Sequence, residues 1–223
     1  MDFSEWEPIY EGILRDFGFS REEDERAAKE LSKLAAKSEL CDDACLGRTI
    51  GSEVTVCGDA PSLERSLMGA DLRGTVIAAD GATSTLLHSL GRVPDIIVTD
   101  LDGDVSDQLS ANAQGSIVVV HAHGDNREVI RRFVPRFQGR LVLTTQSRPF
   151  GVVRNFGGFT DGDRAVALAR HFKAAKITLM GFDFDEPRPK PEKDPQVKLR
   201  KLAWAKKIIF DHNTSQTELI VNR

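Results

Sequence analysis

Short, continuous apolar runs recur along the chain from Glu53 onward: Val54-Thr55-Val56-Cys57, Thr75-Val76-Ile77-Ala78-Ala79, Ile96-Ile97-Val98, Ile117-Val118-Val119-Val120, Leu141-Val142-Leu143 and Ile177-Thr178-Leu179-Met180. Each is too short for a stable helix and rich in β-branched residues, so each predicts a strand buried on both faces. Between them, residues 62–69, 83–90, 105–113, 127–133 and 161–172 predict helices. This alternation predicts an α/β, Rossmann-like three-layer fold around a mostly parallel sheet of about six strands.

Before about residue 50 the pattern changes. Trp6, Ile9, Ile13, Leu14 and Phe17 recur at helical spacing, and Gly18 supplies a stop. Ser20 followed by Glu23 resembles a capping box ahead of a highly charged helix running through Leu31 and Leu34 towards Leu40. The organisation expected is therefore a helical segment over 1–50 and an α/β domain over 51–223, closing with a helix striped by Leu199, Leu202, Ala203, Ala205, Lys206 and Ile209. The N-terminal helices should either cap the main domain or form a homodimerisation arm.

In parallel sheets ligands bind beyond the carboxyl ends of the strands, near the point where strand order reverses. The residues that follow the predicted strands fit that rule. They are Gly58-Asp59-Ala60-Pro61-Ser62, Asp80-Gly81-Ala82-Thr83-Ser84, Asp100-Leu101-Asp102-Gly103-Asp104, His121-Ala122-His123-Gly124-Asp125-Asn126, Thr144-Thr145-Gln146 and Gly181-Phe182-Asp183-Phe184-Asp185. Nearly every chemically capable cluster falls on one edge.

Asp100, Asp102 and Asp104 crowd negative charge where a buried strand leaves the sheet, and crowded carboxylates repel unless a cation sits among them. Loosely arranged hard oxygens suit Mg²⁺, which completes its shell with water and substrate phosphates. Gly81 and Ala82 are small enough for a ligand to approach the backbone, and Thr83 or Ser84 opens a helix whose N-terminus suits phosphate. His121, His123 and Asp125 could together hold a transition metal, or the histidines could meet phosphate while Asp125 joins the aspartates. The abundance of aspartate and the lack of thiolate favour magnesium. In Arg154-Asn155-Phe156-Gly157-Gly158-Phe159-Thr160-Asp161, the paired glycines give a flexible backbone. Asn155, Thr160 and Asp161 could there read a heterocycle on which Phe156 or Phe159 stacks. The proline-rich, charged stretch from Glu186 to Asp194 predicts an extended loop that could bring Arg188, Lys190 or Lys193 over a triphosphate.

Composition narrows the choice. A net charge of -4 over 223 residues argues against nucleic-acid binding by bulk positive charge. No apolar run is long enough to span a bilayer, and the acidic start lacks the order of a signal peptide, so a cytoplasmic protein is expected. Cys41, Cys45 and Cys57 offer no zinc-site spacing and are read as structural. A Walker A motif and a G-x-G-x-x-G fingerprint are both missing, which removes P-loop kinases and dinucleotide-dependent dehydrogenases.

The blocks Ala79–Ala82, Pro94–Asp104, His121–Asn126 and Gly157–Ala165, in that order, resemble the archaeal 6-hydroxymethyl-7,8-dihydropterin pyrophosphokinases of the MptE-like family. The second block is also similar to thiamine pyrophosphokinases, which would carry glycine at Thr99 and serine near Gly103. The pterin resemblance implies Mg²⁺-dependent transfer of diphosphate from ATP to a dihydropterin alcohol, releasing AMP, in folate or tetrahydromethanopterin biosynthesis. With that implication Asp80, Asp100, Asp102 and Asp125, with Asp104 beside them, would hold the metal. His121, His123 and Asn126 would meet phosphates or the reacting hydroxyl, and Asn155, Thr160 and Asp161 the pterin. Thiamine pyrophosphokinase and a metal-dependent nucleotide-sugar glycosyltransferase are the alternatives, since a strand ending in Asp-x-Asp serves both. A non-enzymatic nucleotide sensor is a third.

Overall fold

The computed structural model describes residues 1–186, 194–212 and 216–222. The first half of the chain forms α1 (Phe3–Phe17), α2 (Arg21–Leu34), α3 (Asp43–Thr49), β1 (Glu53–Cys57), α4 (Leu63–Leu67), β2 (Thr75–Ala79), α5 (Ala82–Leu90), β3 (Ile96–Thr99) and α6 (Val105–Ala113). The second half adds β4 (Ile117–Ala122), α7 (Arg127–Phe133), β5 (Leu141–Thr145), β6 (Val153–Arg154), α8 (Asp161–His171), β7 (Lys176–Met180), α9 (Pro195–Phe210) and β8 (Glu218–Asn222). Among the described residues the strands form one parallel sheet of eight, ordered β6-β5-β4-β3-β2-β1-β7-β8. The sheet thus has two strands more than expected. Both extra strands lie at the edges, β6 being a two-residue stub and β8 only partly buried.

Alternate residues of each central strand enter opposite cores, as the pleat requires. Ile96 and Val98 of β3 join Val54, Val56, Val166, Leu168 and Ile209, under α3, α8 and α9. Ile97, between them, faces the other way and meets Val118, Val120, Leu31, Val105 and Ile130, under α2, α6 and α7. Val76 and Ala78 of β2 pack on Leu63, Leu67 and Leu86 of α4 and α5. Both faces are therefore covered, which is why these strands read as unbroken apolar runs. A fourth cluster joins Trp6, Tyr10 and Ile13 of α1 to Ile208 of α9 and to Phe159.

The Ser20 hydroxyl caps α2 by accepting from Glu23 N–H, one half of the box expected there. The charged helix ends at Leu34, and Leu40 instead bridges Leu141 beside the sheet. Cys41 and Cys45 are joined in a disulfide at the start of α3. Cys57, at the end of β1, is a free buried thiol that burial pushes up to about 12. Reaction of a thiol reagent with the folded, unreduced protein at neutral pH is accordingly expected to give no measurable modification, since the thiolate is the nucleophile. Denaturant should release this single thiol. Rapid labelling in plain buffer would show that the end of β1 is open to solvent.

The sheet order reverses between β1 and β7. The chain steps from β1 out to β6, then returns to place β7 on the other side of β1. The loops leaving β1, β2, β3 and β7 meet beyond that reversal. No described helix is long and apolar enough to cross a membrane.

Candidate active site

A cleft of about 770 Å³ opens at the carboxyl ends of the strands, beside the reversal point. Its floor carries Gly58 and Asp59 after β1, Asp80 after β2, Asp100 and Asp102 after β3, His123 to Asp125 after β4, and Gly181 to Phe184 after β7. Thr160 to Gly162 at the N-terminus of α8 supply one wall. The segment Gly18 to Ser20 with Glu23 and Asp24 supplies another, and α9 a third through Lys198, Lys201 and Ala205.

Asp80, Asp100 and Asp102 each present a carboxylate oxygen within 4.8 Å of the others. Asp80 is the most constrained of them. It sits at φ 44°, in the left-handed region that an aspartate tolerates better than most residues. Its Oδ1 accepts from Thr99 Oγ1 (2.8 Å), Gly103 N–H (3.1 Å) and Gln108 Nε2 (2.9 Å). Those bonds fix the carboxylate plane and so orient Oδ2. Leu101 also has positive φ, at 67°, and tucks its side chain into the core so that Asp100 and Asp102 flank it on the cleft side. The loop after β3 is thus held in an unusual path that brings its aspartates back over the end of β2. Backbone in sparsely populated regions clusters at functional sites. Three hard oxygens gathered this closely suit a divalent cation of the Mg²⁺ type.

Asp104 and Asp125 lie outside that group. The Asp104 carboxylate caps α6, accepting from Ser106 N–H (2.9 Å) and hydroxyl, which holds its pKa below the ordinary range. Asp125 lines the cleft and is exposed. His123 Nε2 stands 3.3 Å from Asp100 Oδ2 at the cleft. His121, expected beside it, is 2% exposed: it shares a face with His123, their rings 6.2 Å apart, but lies two residues further into the sheet, in register with Thr144 of β5. The Thr144 hydroxyl donates to Val120 C=O, so it accepts from His121 Nδ1–H, leaving Nε2 as a buried acceptor with no protein partner. Burial, and then Arg164, keeps this imidazole neutral.

Two asparagines expected to touch ligands are instead spent on backbone. Asn126 donates to Asp100 C=O (3.0 Å) and His121 C=O (2.7 Å) and accepts from His123 N–H (3.0 Å), tying the end of β3 to that of β4. Asn155 donates to Gln146 C=O and Ser147 C=O and accepts from Gly157 N–H. Each amide has used its two donors and its oxygen, so each positions a loop. Gly157 packs on Met1 and Gly158 on the Arg164 backbone, so neither faces the cleft. Gly81 and Ala82 begin α5 beneath Asp59 and Asp80, and the Thr83 hydroxyl is buried without a protein partner. Thr160 and Asp161 do line the cleft. The Arg188, Lys190 and Lys193 expected over a triphosphate lie outside the described residues.

Asp161 is the most perturbed acid at the site. Burial, then the charge of Asp100, raises its pKa well above the ordinary carboxylate value, against the pull of Arg164 at 3.1 Å. The charges of Asp80 and Asp102 push in the same direction as Asp100. Arg164 itself is 7% exposed, with Nη1 on Asp161 and Nη2 on Gln146 Oε1 (3.4 Å). Arg164, Gln146 and Asp24 were given no role from sequence, yet all three line the cleft. The one local signal for Arg164 is its place at the head of the apolar helical run Ala165–Ala169.

Residues 25–188 match the family model described as 6-hydroxymethylpterin diphosphokinase MptE-like. Over 225 residues the chain is 43% identical to the 6-hydroxymethyl-7,8-dihydropterin pyrophosphokinase of Methanothermobacter thermautotrophicus, covering 94% of each chain. It is 46% identical over 187 residues to the protein of the same name from Pyrococcus furiosus, covering 82% of this chain and 79% of that one. The protein so named in Methanocaldococcus jannaschii is 38% identical over 229 residues, covering 94% and 95%.

Proposed function

The chain belongs to the MptE-like family of 6-hydroxymethylpterin diphosphokinases, and from that membership we propose that it transfers diphosphate from ATP to the hydroxymethyl group of 6-hydroxymethyl-7,8-dihydropterin. The observation that carries this reading is the convergence of Asp80, Asp100 and Asp102 at the strand-order reversal, within a cleft large enough for two small substrates. In the transfer, the hydroxymethyl oxygen bonds to the β-phosphorus of ATP. The bond from that phosphorus to the oxygen shared with the α-phosphorus breaks, and AMP leaves. The hydroxyl proton passes to a base, and His123, beside Asp100 and facing the cleft, is the residue assigned to take it.

Phosphoryl transfer asks little covalent help of a protein; it asks for in-line positioning and charge cancellation. Asp80, Asp100 and Asp102 would hold Mg²⁺, with Asp125 lining the same cleft. When bound, the ion neutralises charge on the polyphosphate. Thr160 and Asp161, which line the cleft, would meet the pterin, whose amino-pyrimidine edge offers donors to a carboxylate. Phe159, Phe182 and Phe19 border the same space and provide apolar faces for a flat ring. The product would feed a folate- or methanopterin-type cofactor.

The test is an acceptor screen with ATP and Mg²⁺ that follows AMP. Release is expected with the hydroxymethyl-dihydropterin and not with thiamine or with water alone. Asp100→Asn should lower it on the order of 10³-fold, because ion-mediated charge stabilisation is worth several kcal/mol and about 1.4 kcal/mol corresponds to tenfold in rate. AMP formed from thiamine instead, or full activity in Asp100→Asn, would overturn the assignment.

A further inference from the structure

Asp24 lies on α2, in a helix whose sequence reads as a solvated charged face, yet it is 2% exposed and no arginine, lysine or histidine is paired with it among the described residues. Its carboxylate is held by three donors from three other parts of the fold. Oδ2 accepts from the Tyr10 hydroxyl of α1 (2.6 Å) and from Gln146 Nε2 at the end of β5 (2.7 Å). Oδ1 accepts from Gly124 N–H in the turn after β4 (2.8 Å). Burial, then the bond to Asp24, raises the Tyr10 phenol far above its usual range, so it remains a donor.

Two branches run from this carboxylate to the cleft. Along the first, chemistry settles the orientation of Gln146: a carboxylate only accepts, so the side facing Asp24 must be the NH₂ group. The Gln146 oxygen is then turned towards Arg164 Nη2, and Arg164 Nη1 holds Asp161. Gln146 is itself anchored through its backbone carbonyl, which accepts from Trp6 Nε1 (2.8 Å) and Asn155 Nδ2 (3.0 Å). Along the second branch, Gly124 adjoins His123, whose ring stands beside Asp100. One buried carboxylate on an N-terminal helix thus fixes both the turn that carries the proton acceptor and the arginine that orients Asp161.

We propose that Asp24 is a positioning residue for diphosphate transfer, acting through Gln146–Arg164 and through Gly124–His123 without touching substrate. This rests on the functional reading above. Misplacing reacting groups by about 1 Å can cost about a hundredfold in rate, and loss of an outer partner of a metal site costs about 10–100-fold.

The test is Asp24→Asn in the full chain. Asparagine keeps the shape but offers one oxygen where three donors converge, and its NH₂ group opposes one of them. The expected result is a fall in kcat for acceptor-dependent AMP release of about 10–100-fold, with KM for ATP and for the pterin within about threefold, and an unchanged circular dichroism spectrum. Combined with Arg164→Lys, the loss should be smaller than the product of the single losses, because both act on one branch. A kcat within about twofold of the parent would overturn the proposal. So would a raised KM for the pterin at unchanged kcat, which would make Asp24 a substrate contact. If Asp24→Asn does not fold, Gln146→Met interrupts the first branch and carries the same expectations. A parent protein that releases no AMP with the pterin would sink the functional reading and this inference with it; an active parent beside an equally active variant would sink this inference alone.

Discussion

Asp80→Asn is expected to lower kcat on the order of 10³-fold while leaving the melting temperature within a few degrees of the parent. The two halves of this expectation have separate physical origins. Stability should survive because asparagine tolerates positive φ nearly as well as aspartate, and its single oxygen can still accept from Thr99, Gly103 and Gln108. Activity should fall because Nδ2 replaces Oδ2, placing a neutral donor where the carboxylate group of Asp80, Asp100 and Asp102 offers an anionic oxygen. A cation held there would lose a ligand, and ion-mediated stabilisation of developing phosphate charge is worth several kcal/mol, or on the order of 10³-fold. The measurement is kcat across a magnesium titration beside a thermal melt. Activity within tenfold of the parent at every magnesium concentration would remove Asp80 from the metal group.

Gly158→Ala should cost about 3 kcal/mol, which for a chain of this size lowers the melting temperature by roughly 6–12 °C. Gly158 has φ 94°, where any Cβ is strained, and the added carbon would lie 2.6 Å from Arg164 Cα and 2.7 Å from its backbone nitrogen. Backbone in the first turn of α8 cannot swing away as a long side chain can. Strain of about 1–3 kcal/mol from the dihedral therefore adds to about 1–3 kcal/mol from overpacking. Gly151→Ala is the comparison: φ is also positive, at 52°, but nothing lies within 4 Å. It should show the strain alone, about 1 kcal/mol. Equal melting temperatures for the two variants would show that the loop and α8 are not in contact as described.

The central sheet was legible because its strands are buried on both faces. A strand such as Ile96-Ile97-Val98 has to be apolar throughout, because its alternate residues enter opposite cores. β8 escaped notice for the converse reason. As an edge strand it has one neighbour and stays half-exposed, so burial places weak demands on its residues. Asp80 and Asp100 could be found because each directly follows a strand, with Asp102 two residues on, and strand ends in a parallel sheet converge whatever the loop lengths. The asparagines could not be assigned, since an amide after a strand serves a ligand or a neighbouring loop equally well. Only the partners of Asn126 and Asn155 decide between these roles. His121 is buried because it lies within β4, two residues behind His123 on the same face, where the neighbouring strand β5 covers it through Thr144. Asp24 was beyond reach of sequence alone, because its partners Gln146 and Gly124 are joined to it only by the folded chain.

The cleft is walled by Gly18 to Asp24 on one side and by α9 on another, an early and a late stretch of the chain. Trp6, Tyr10 and Ile13 meet Ile208 in one cluster, Trp204 lies against Gly12, and Arg200 pairs with Asp16. During synthesis, a nascent chain extended as far as β7 already holds every central strand and the carboxylates of Asp80, Asp100 and Asp102. Its first helix still lacks the surface on which it closes. The acidic floor would stay open, and the aromatic face of α1 uncovered, until α9 leaves the ribosome. The last helix made is therefore the one that turns a folded sheet into a substrate-binding cleft, and a chain arrested before it should expose that aromatic face to chaperones.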